Sequence, residues 1–273
     1  MKSVFLLLIT FLLAANHIVA QKLRIKGSDT VFPLTQMLAE EYMKRNIDAS
    51  VLIHGGGSGT GISALLSGTT DITQSARELS ADEKLKLKKE GIPVTETIIA
   101  FDALAVIVNP ENKITQLSIQ QLESIFTGAV TNWKDVGGND MDIVVYSRET
   151  SSGTYEFFKD HVLNGKNYAA SAILMPATGA IAQSVSQVKG AIGYVGLAYL
   201  DKTIKAVEVS GDKGNTYTEP SVETVKDKSY PIARPLYYIF PDSLKDAISP
   251  FIGFVLSQAG QQIVLKAGYV PVR

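Results

Sequence analysis

The sequence predicts an α/β fold made of two similar halves. Short apolar strands alternate with helices through the first 90 residues, a pattern typical of a mostly parallel sheet with helices on both faces. A second run of strands and helices follows from residue 101, and one strand and two helices end the chain. A length of 273 residues fits one or two domains, and 45% hydrophobic residues suffice for a packed core. We expect the chain to cross between the two halves near residues 100 and 235.

The elements of the first half are predicted from apolar spacing and from helix-start residues. Pro33 begins a helix in which Leu34 and Leu38 recur at helical spacing. Ser80 and Glu83 form a capping box at the start of a charged helix. The predicted strands cover residues 23–26, 50–53 and 71–75, and the predicted helices cover residues 33–45, 61–66 and 80–90.

The elements of the second half are predicted from buried apolar runs and the helical segments between them. Residues 103–108 form a nearly continuous apolar strand, which Asn109 and Pro110 end. The other predicted strands cover residues 142–146, 190–200 (a strand with a turn), 206–210 and 232–240. The predicted helices cover residues 118–126, 155–162, 180–188, 243–256 and 258–266, and residues 212–218 form a polar loop.

The N-terminus has the layout of a secretory signal peptide. Lys2 supplies a positive charge, an apolar run covers residues 4–15, and small residues precede a cleavage position between Ala20 and Gln21. A transmembrane anchor is the alternative, but it needs about 20 apolar residues and this run is shorter. We therefore expect residues 1–20 to be removed and the mature chain to be exported, with no later stretch apolar enough to cross a membrane. The chain has no cysteine, which excludes a lipid-modified N-terminal cysteine.

Charge and composition exclude several functions. The chain has 26 Lys and Arg against 27 Asp and Glu, and a net charge of -1 argues against nucleic-acid binding by bulk electrostatics. Without cysteine there is no disulfide scaffold, thiolate metal site or cysteine nucleophile. His54 and His161 are far apart in the sequence and outside any metal-ligand spacing. The sequence therefore predicts no metal, no cofactor and no catalytic residue.

Three strand-to-helix junctions are rich in Gly, Ser and Thr: residues 27–30, 55–61 and 148–154. At such junctions free backbone N–H groups and the helix dipole favour a negative charge. Glycine permits close approach of a ligand, hydroxyls add donors, and Arg148 supplies a planar positive fork. The three loops together predict an anion site. The alternative for each single loop is an ordinary helix cap that satisfies only its own backbone.

Other sequence motifs indicate a function less specifically than these three loops do. Residues 59–64 match the G-x-G-x-x-A variant of the dinucleotide fingerprint, a loose match when it stands alone. No Gly-Lys-Ser/Thr follows to complete a P-loop, and the surroundings of Ser58 do not form a nucleophile elbow. Trp133 is expected to pack in the core, and the lysines of residues 84–89 are expected to form a solvated face.

Five features follow one another along the chain: the export signal, residues 27–33, residues 55–61, residues 71–77 and the Arg148-x-x-x-Ser-Gly-Thr element. Together they resemble the phosphate-binding proteins of bacterial ABC importers in their shorter form. The resemblance covers nearly the whole mature chain. It implies a two-lobed periplasmic-binding-protein (type II) fold with two crossing segments. The implied division is residues 1–20 as signal peptide, 21–100 plus 235–273 as lobe I, and 101–234 as lobe II.

The resemblance also implies the site and the partners. The implied phosphate-binding residues are Thr30, Val31, Ser58, Arg148, Ser152, Gly153 and Thr154. The secondary candidates are Ser28, Phe32, Ser75 and Arg77. The implied partners are inorganic phosphate and a membrane ABC permease, for a protein that acts as a monomer and binds no nucleic acid.

One position departs from the family pattern and leaves specificity open. Longer family members carry an Asp that accepts the proton left on phosphate, whereas this chain has Ala76 in that segment. Asp29 and Glu149 are candidates for the missing acceptor. Another tetrahedral oxyanion (sulfate, molybdate or tungstate) therefore stays an alternative ligand. An exported enzyme or signalling module that holds a phosphorylated compound is the other alternative.

Overall fold

The computed structural model describes residues 22–272, so the predicted signal peptide lies outside the described residues. The strands are β1 (Lys22–Gly27), β2 (Ser50–His54), β3 (Ile72–Ser75), β4 (Val94–Val108), β5 (Gln116–Ser118), β6 (Val144–Arg148), β7 (Ile173–Met175), β8 (Ala191–Gly196), β9 (Lys205–Ala206), β10 (Glu208–Ser210) and β11 (Ala233–Pro241). The helices are α1 (Phe32–Arg45), α2 (Ser58–Leu66), α3 (Ala81–Lys89), α4 (Ile119–Phe126), α5 (Gly153–His161), α6 (Thr178–Gln187), α7 (Val222–Lys226), α8 (Lys245–Leu256) and α9 (Gln258–Lys266). The α/β class is thereby confirmed.

One mixed sheet runs through both halves of the protein in the order β2-β1-β3-β11-β4-β8-β6-β7, and β9 pairs with β4. The outer strands are parallel: β1 to β2 and β3, and β6 to β7 and β8. The central strands are antiparallel, because β11 pairs in that sense with both β3 and β4, and β4 with β8. The sheet is thus less parallel than the sequence predicts, since the segments that join the halves run through its centre.

Strand β4 passes from one half to the other. Up to Ala103 it pairs with β11, in which Ala233 is the partner of Ala103. From Leu104 it pairs with β8, in which Gly196 is the partner of Leu104. The sequence predicts this strand only from residue 103, but it begins at Val94, because β11 supplies a partner for its less apolar first part.

Separate hydrophobic cores lie on either side of this crossing. In one, α1, α8 and α9 cover the β1–β3 end of the sheet, and Tyr42 meets Phe251 edge-on at a ring-centroid distance of 5.1 Å. In the other, Trp133 is fully buried and its indole N–H donates to the carbonyl of Gly190 at 3.0 Å. The expectation that Trp133 packs in the core is confirmed.

Several local expectations are confirmed and others are wrong. The capping box of Ser80 and Glu83 begins α3, and the lysines of that helix are exposed. Helix α2 begins at Ser58 rather than at residue 61, because Gly57 adopts a φ of 93° and ends the preceding loop. The predicted strand 206–210 is divided into β9 and β10, which pair with different strands. The short elements β5, β7 and α7 lack a clear sequence signal.

Within residues 22–272, no single helix is long and apolar enough to cross a membrane. The segments Asp242–Leu256 and Gln258–Lys266 reach the required length and composition only as a pair, and that pair is bent by 61°.

Candidate anion-binding site

The first polar loop, residues 27–30, connects β1 to α1 and is held from two remote segments. The Tyr269 hydroxyl donates to the Thr30 carbonyl at 2.5 Å, and the Tyr199 hydroxyl donates to the Asp29 carbonyl at 2.8 Å. Burial, with the nearby charge of Asp29, raises the pKa of Tyr199 to about 12, so this hydroxyl stays protonated at neutral pH. The loop therefore has little freedom to change its shape.

The turn of this loop uses its own backbone donors. The N–H groups of Val31 and Phe32 both donate to the Ser28 carbonyl, at 3.2 and 3.1 Å. Ser28 is buried, and its backbone N–H and carbonyl are both bonded to Gln74. To act as predicted, the N–H groups of Val31 and Phe32 would have to bond to the anion as well as to the Ser28 carbonyl.

A cluster of buried threonine hydroxyls lies where the two halves meet. Thr30 Oγ1 is 2.9 Å from Thr154 Oγ1 and 3.5 Å from Thr178 Oγ1. All three side chains are at most 1% exposed. They come from the starts of three different helices (α1, α5 and α6), so positions more than 120 residues apart in sequence are in contact.

Arg148 lies at the end of β6 with its guanidinium beside this cluster. Its Nη1 donates to Thr178 Oγ1 at 2.8 Å, and its Nη2 donates to Asp29 Oδ2 at 2.6 Å and to the Pro176 carbonyl at 2.9 Å. The side chain is only 2% exposed, whereas that of Asp29 is 19% exposed. A guanidinium held this firmly presents a fixed positive charge to any ligand of the cluster.

The second and third polar loops meet at very short range. The Gly59 N–H donates to the Ser151 carbonyl at 3.0 Å, and a β-carbon on Gly57 would lie 2.6 Å from that same oxygen. Ser58 Oγ, fully buried, accepts a hydrogen bond from the Ala76 N–H at 3.1 Å and lies against Gly153. Only glycine allows the two loops to approach this closely.

Ser152 is the N-cap of α5. Its Oγ accepts a hydrogen bond from the Thr154 N–H at 3.2 Å. The predicted trio of Ser152, Gly153 and Thr154 therefore stands at a helix start, where the dipole favours an anion. The site candidates Thr30, Ser58, Arg148, Ser152, Gly153 and Thr154 lie at the junction of the three loops.

The structure places two secondary candidates in other contacts. The Ser75 hydroxyl donates to the Arg77 carbonyl at 2.7 Å. The Arg77 guanidinium binds both carboxylate oxygens of Glu83, at 2.7 and 2.8 Å, and also contacts Glu156. Arg77 therefore links α3 to α5 instead of contacting the threonine cluster. Of the two proposed proton acceptors, Asp29 touches Arg148, whereas the side chain of Glu149 is exposed.

Three residues at the cluster were missed by the sequence analysis. Thr178 follows β7 and precedes Gly179 at the start of α6, so it has the same strand-to-helix signal as the three recognised loops. Asp102 and Arg234 are partners on β4 and β11. A charged residue inside each of these apolar strands is the signal that could have found them.

Among residues 22–272, no group of three or more His, Cys, Asp or Glu side chains could hold a metal ion. His54 is exposed at the end of β2. The His161 ring is stacked on Phe157 at 4.0 Å, and its Nδ1 lies 3.0 Å from the Phe157 carbonyl oxygen.

Two hydroxyls of this site, those of Thr178 and Ser58, keep a hydrogen that they can donate. Thr178 Oγ1 accepts from the Arg148 guanidinium and Ser58 Oγ accepts from a backbone N–H. Neither of these partners can accept a hydrogen bond in return, so the hydroxyl hydrogens of Thr178 and Ser58 point elsewhere. Buried hydroxyls with a hydrogen to donate suit an oxyanion. This site and the two halves around it define a two-lobed solute-binding protein.

Comparison with known proteins gives the family. Residues 14–259 match the PBP superfamily domain. The phosphate-binding protein PstS of Staphylococcus haemolyticus is 36% identical over 254 residues, which cover 90% of this chain and 79% of that protein. Protein SphX of Synechococcus elongatus is 33% identical over 258 residues, which cover 90% and 76% of the two chains. The chain belongs to the PBP superfamily and, within it, to the family of the PstS phosphate-binding proteins.

Solved structures agree with this assignment. A Clostridium perfringens protein with bound phosphate superposes with a TM-score of 0.84 at 34% identity, over 92% of this chain and all of that one. An ABC-type phosphate transport receptor from Vibrio cholerae superposes with a TM-score of 0.74 at 30% identity, over 91% and 99% of the two chains. The two-lobed periplasmic-binding-protein fold expected from the sequence is confirmed.

Proposed function

We propose that this protein captures inorganic phosphate between its two lobes and delivers it to the permease of an ABC importer. One observation supports the proposal: segments remote in sequence bring buried polar groups into contact. The Thr30 and Thr154 hydroxyls are 2.9 Å apart, Arg148 donates to Thr178 Oγ1, and Ser58 lies against Gly153, next to Thr154. The names of the PstS relatives and the phosphate-bound Clostridium structure support phosphate as the ligand. The Vibrio transport receptor supports delivery to a transporter.

Binding involves no chemical step in this proposal. The anion takes hydrogen bonds from the Ser58 hydroxyl, from one hydroxyl of the Thr30–Thr154 pair and from the N–H groups at the start of α5, and Arg148 compensates its charge. Hydrogen bonds to a charged group contribute about 1.5–3 kcal/mol each, so a few of them reach micromolar affinity. Phosphate thereby shifts the equilibrium between open and closed lobes, and the permease binds the closed form.

The lobe boundaries are part of the proposal. Lobe I comprises residues 21–100 and 235–273, and lobe II comprises residues 101–234. The change of partner in β4 between Ala103 and Leu104, together with the start of β11 at Ala233, supports crossings close to those boundaries. Motion of the lobes would then bend the two central strands.

For selectivity, we propose that Asp29 accepts the hydrogen bond from the proton that phosphate keeps near pH 7. Its two oxygens accept hydrogen bonds from Arg148 Nη2 and from the Gly56 N–H, and each oxygen keeps a further lone pair. The hydrocarbon side chain of Ala76 cannot accept a proton, which is why a general tetrahedral-oxyanion binder remains the second candidate function. Glu149 is exposed and is the weaker choice.

The cellular setting is proposed from the N-terminal sequence and from the relatives. We infer export by a signal peptide that is cleaved between Ala20 and Gln21, without lipid attachment, and action as a monomer outside the cytoplasmic membrane. The apolar run of residues 4–15 and the transport names of the relatives support this setting.

Isothermal titration of the purified protein with phosphate, followed by competition with sulfate, tests the proposed function. We expect saturable binding of phosphate that an equal concentration of sulfate does not reverse. Equal affinity for both anions would replace the proposal by a general oxyanion binder. A lack of heat with either anion, in a folded protein, would overturn it.

A further inference from the structure

Arg234 is a buried arginine beside the phosphate site that the binding scheme above does not use. It is 2% exposed and lies in β11 opposite Asp102, which is fully buried in β4. Arg234 Nη2 is 3.3 Å from Asp102 Oδ2 and donates to Thr154 Oγ1 at 3.0 Å. The Arg234 guanidinium thus connects β4 and β11 to the threonine cluster.

The hydrogen bonding of this guanidinium is incomplete. Among residues 22–272, Nε and Nη1 of Arg234 have no hydrogen-bond partner although both atoms are buried. Asp102 contacts only Nη2 of Arg234, and its other oxygen, Oδ1, accepts from the Leu197 N–H at 3.0 Å. The ring of Phe157, 5.2 Å from the guanidinium carbon, offers only a cation–π contact. A buried cation with unused donors is costly for the fold, so its retention needs a reason.

The contact with Thr154 supplies such a reason. A guanidinium has only donors, so Thr154 Oγ1 must accept from Arg234 and its hydroxyl hydrogen must point away from it. That hydrogen goes either to Thr30 Oγ1, 2.9 Å away, or to a ligand. If it goes to Thr30, the Thr30 hydrogen is released instead. In both arrangements one hydroxyl hydrogen of the pair is left, and only Thr178 Oγ1, 3.5 Å from Thr30 Oγ1, competes for it with an anion.

We propose that Arg234 is a positioning residue of the phosphate site, which donates to Thr154 and so turns a hydroxyl hydrogen of the Thr154–Thr30 pair toward the anion. The inference rests on the proposed function. Arg234 has for Thr154 the role that Arg148 has for Thr178, except that Arg148 is paired with the partly exposed Asp29 and Arg234 with the fully buried Asp102. Its positive charge, one hydroxyl away from the ligand, also favours the bound anion.

Removing Arg234 alone would leave Asp102 buried without its partner, so the test replaces both residues. The double variant D102N/R234M lacks the charge pair and the donor. D102N/R234Q keeps a side-chain N–H donor at position 234, on a shorter side chain. Each is made with and without Thr154→Val, phosphate affinity is measured by titration calorimetry into the millimolar range, and thermal unfolding confirms that each protein is folded.

We expect D102N/R234M to weaken phosphate binding about tenfold or more, and D102N/R234Q to recover part of that loss. With Val at position 154, the change from D102N/R234Q to D102N/R234M should alter affinity by less than about twofold, because no hydroxyl is left to orient. The matched control is R24M/D71N, which removes a cross-strand ion pair away from the site and should leave affinity unchanged.

Two results would overturn the inference. One is an unchanged phosphate affinity in folded D102N/R234M. The other concerns the gain in phosphate affinity when position 234 is Gln instead of Met. If that gain is the same with Thr and with Val at position 154, Arg234 acts independently of the Thr154 hydroxyl. Failure of the proposed function is a different result, because the unmodified protein would then bind no phosphate.

Discussion

Ser58 Oγ lies so close to Gly153 that a β-carbon at Gly153 would be only 2.3 Å from it. The same β-carbon would be 2.9 Å from the β-carbon of Ser58, so rotating the hydroxyl away would not relieve the clash. Ser58 begins α2 and Gly153 begins α5, which stand on opposite sides of the proposed cleft. The two lobes can therefore come this close only because Gly153 has no side chain.

Gly153→Ala should prevent closure without unfolding either lobe. We expect phosphate affinity to fall about tenfold or more, since the binding free energy must then displace α2 from α5. Calorimetry measures the affinity, and small-angle scattering with excess phosphate should show a larger radius of gyration than for the unmodified protein. Gly253→Ala is the control: it lies in α8 with no atom within 4 Å of its β-carbon position, and it should leave affinity unchanged. Normal closure of G153A would contradict this account.

Arg148→Ala tests the principal cation of the proposed site. We expect phosphate binding to weaken by about 2 kcal/mol or more, the scale of a lost charge-assisted hydrogen bond. Titration calorimetry gives the value. Arg45→Ala is the matched control, because Arg45 is half exposed and pairs with Glu41 on the surface of α1. If R148A and R45A bind phosphate equally well, Arg148 does not belong to the site.

Asp29→Asn tests the assignment of the proton acceptor. Near pH 7 phosphate keeps a proton that sulfate lacks, and a carboxylate accepts that proton's hydrogen bond while it repels a fully ionised anion. We expect D29N to reduce the preference for phosphate over sulfate about tenfold or more, by weaker phosphate binding, stronger sulfate binding or both. Arsenate, which is also protonated, should follow phosphate. Loosening of Arg148 alone would weaken all three anions equally.

Glu149→Gln serves as the control for that experiment. Its side chain is exposed, so its selectivity ratio should equal that of the unmodified protein. A shift in E149Q together with none in D29N would move the acceptor from Asp29 to Glu149.

The ion cluster of Arg77, Glu83 and Glu156 should give two opposite pH dependences. Burial opposes the charge of Arg77, but its hydrogen bonds to Glu83 and the charges of both glutamates outweigh burial and raise the pKa of Arg77. The pKa of Glu83 is lowered despite burial, by its bonds to Arg77 and Ser80. Burial raises the pKa of Glu156, with the charges of Glu83 and Asp160 adding to it and Arg77 opposing it. The single positive charge of Arg77 thus keeps the pKa of Glu83 low but does not keep the pKa of Glu156 low.

These pKa shifts fix the direction in which the stability of each variant changes with pH. Folded Glu156 holds its proton more tightly than the unfolded chain does, so its contribution to stability is lost as pH rises through its raised pKa. As pH rises above about 4.5, the unmodified protein should therefore lose unfolding free energy relative to Glu156→Gln. Glu83→Gln should be destabilised at neutral pH, and its deficit should shrink as pH falls below about 4.5. Urea unfolding at several pH values measures both, and parallel curves for the two variants would contradict the assignment.

The sequence predicts most of the fold because its main elements carry strong local signals. The Ser80 capping box and the apolar spacing behind Pro33 place α3 and α1 within a residue or two. The first part of β4 was missed, since its residues are only partly apolar and its pairing with β11 joins positions more than 130 residues apart. Non-local pairing leaves no trace in a short sequence window.

The candidate site was predicted in part for the same reason. Thr30, Ser58 and Thr154 stand in Gly-rich loops at helix starts, a signal that is local in sequence. Arg77 looked like a ligand of the anion because its segment matched the resemblance, but its guanidinium is held by Glu83 and Glu156. Asp102 and Arg234 are meaningful only as a pair across two strands, so neither position reveals its role alone.

The position of β11 between β3 and β4 has a consequence for biogenesis. The sheet that the first hundred residues begin is completed by a strand that ends at residue 241, and α8 and α9, which shield α1, come later still. A nascent chain that is still being synthesised therefore exposes unpaired strand edges and an apolar helix face. Such a chain reaches its stable form only after nearly all of it has been released from the ribosome.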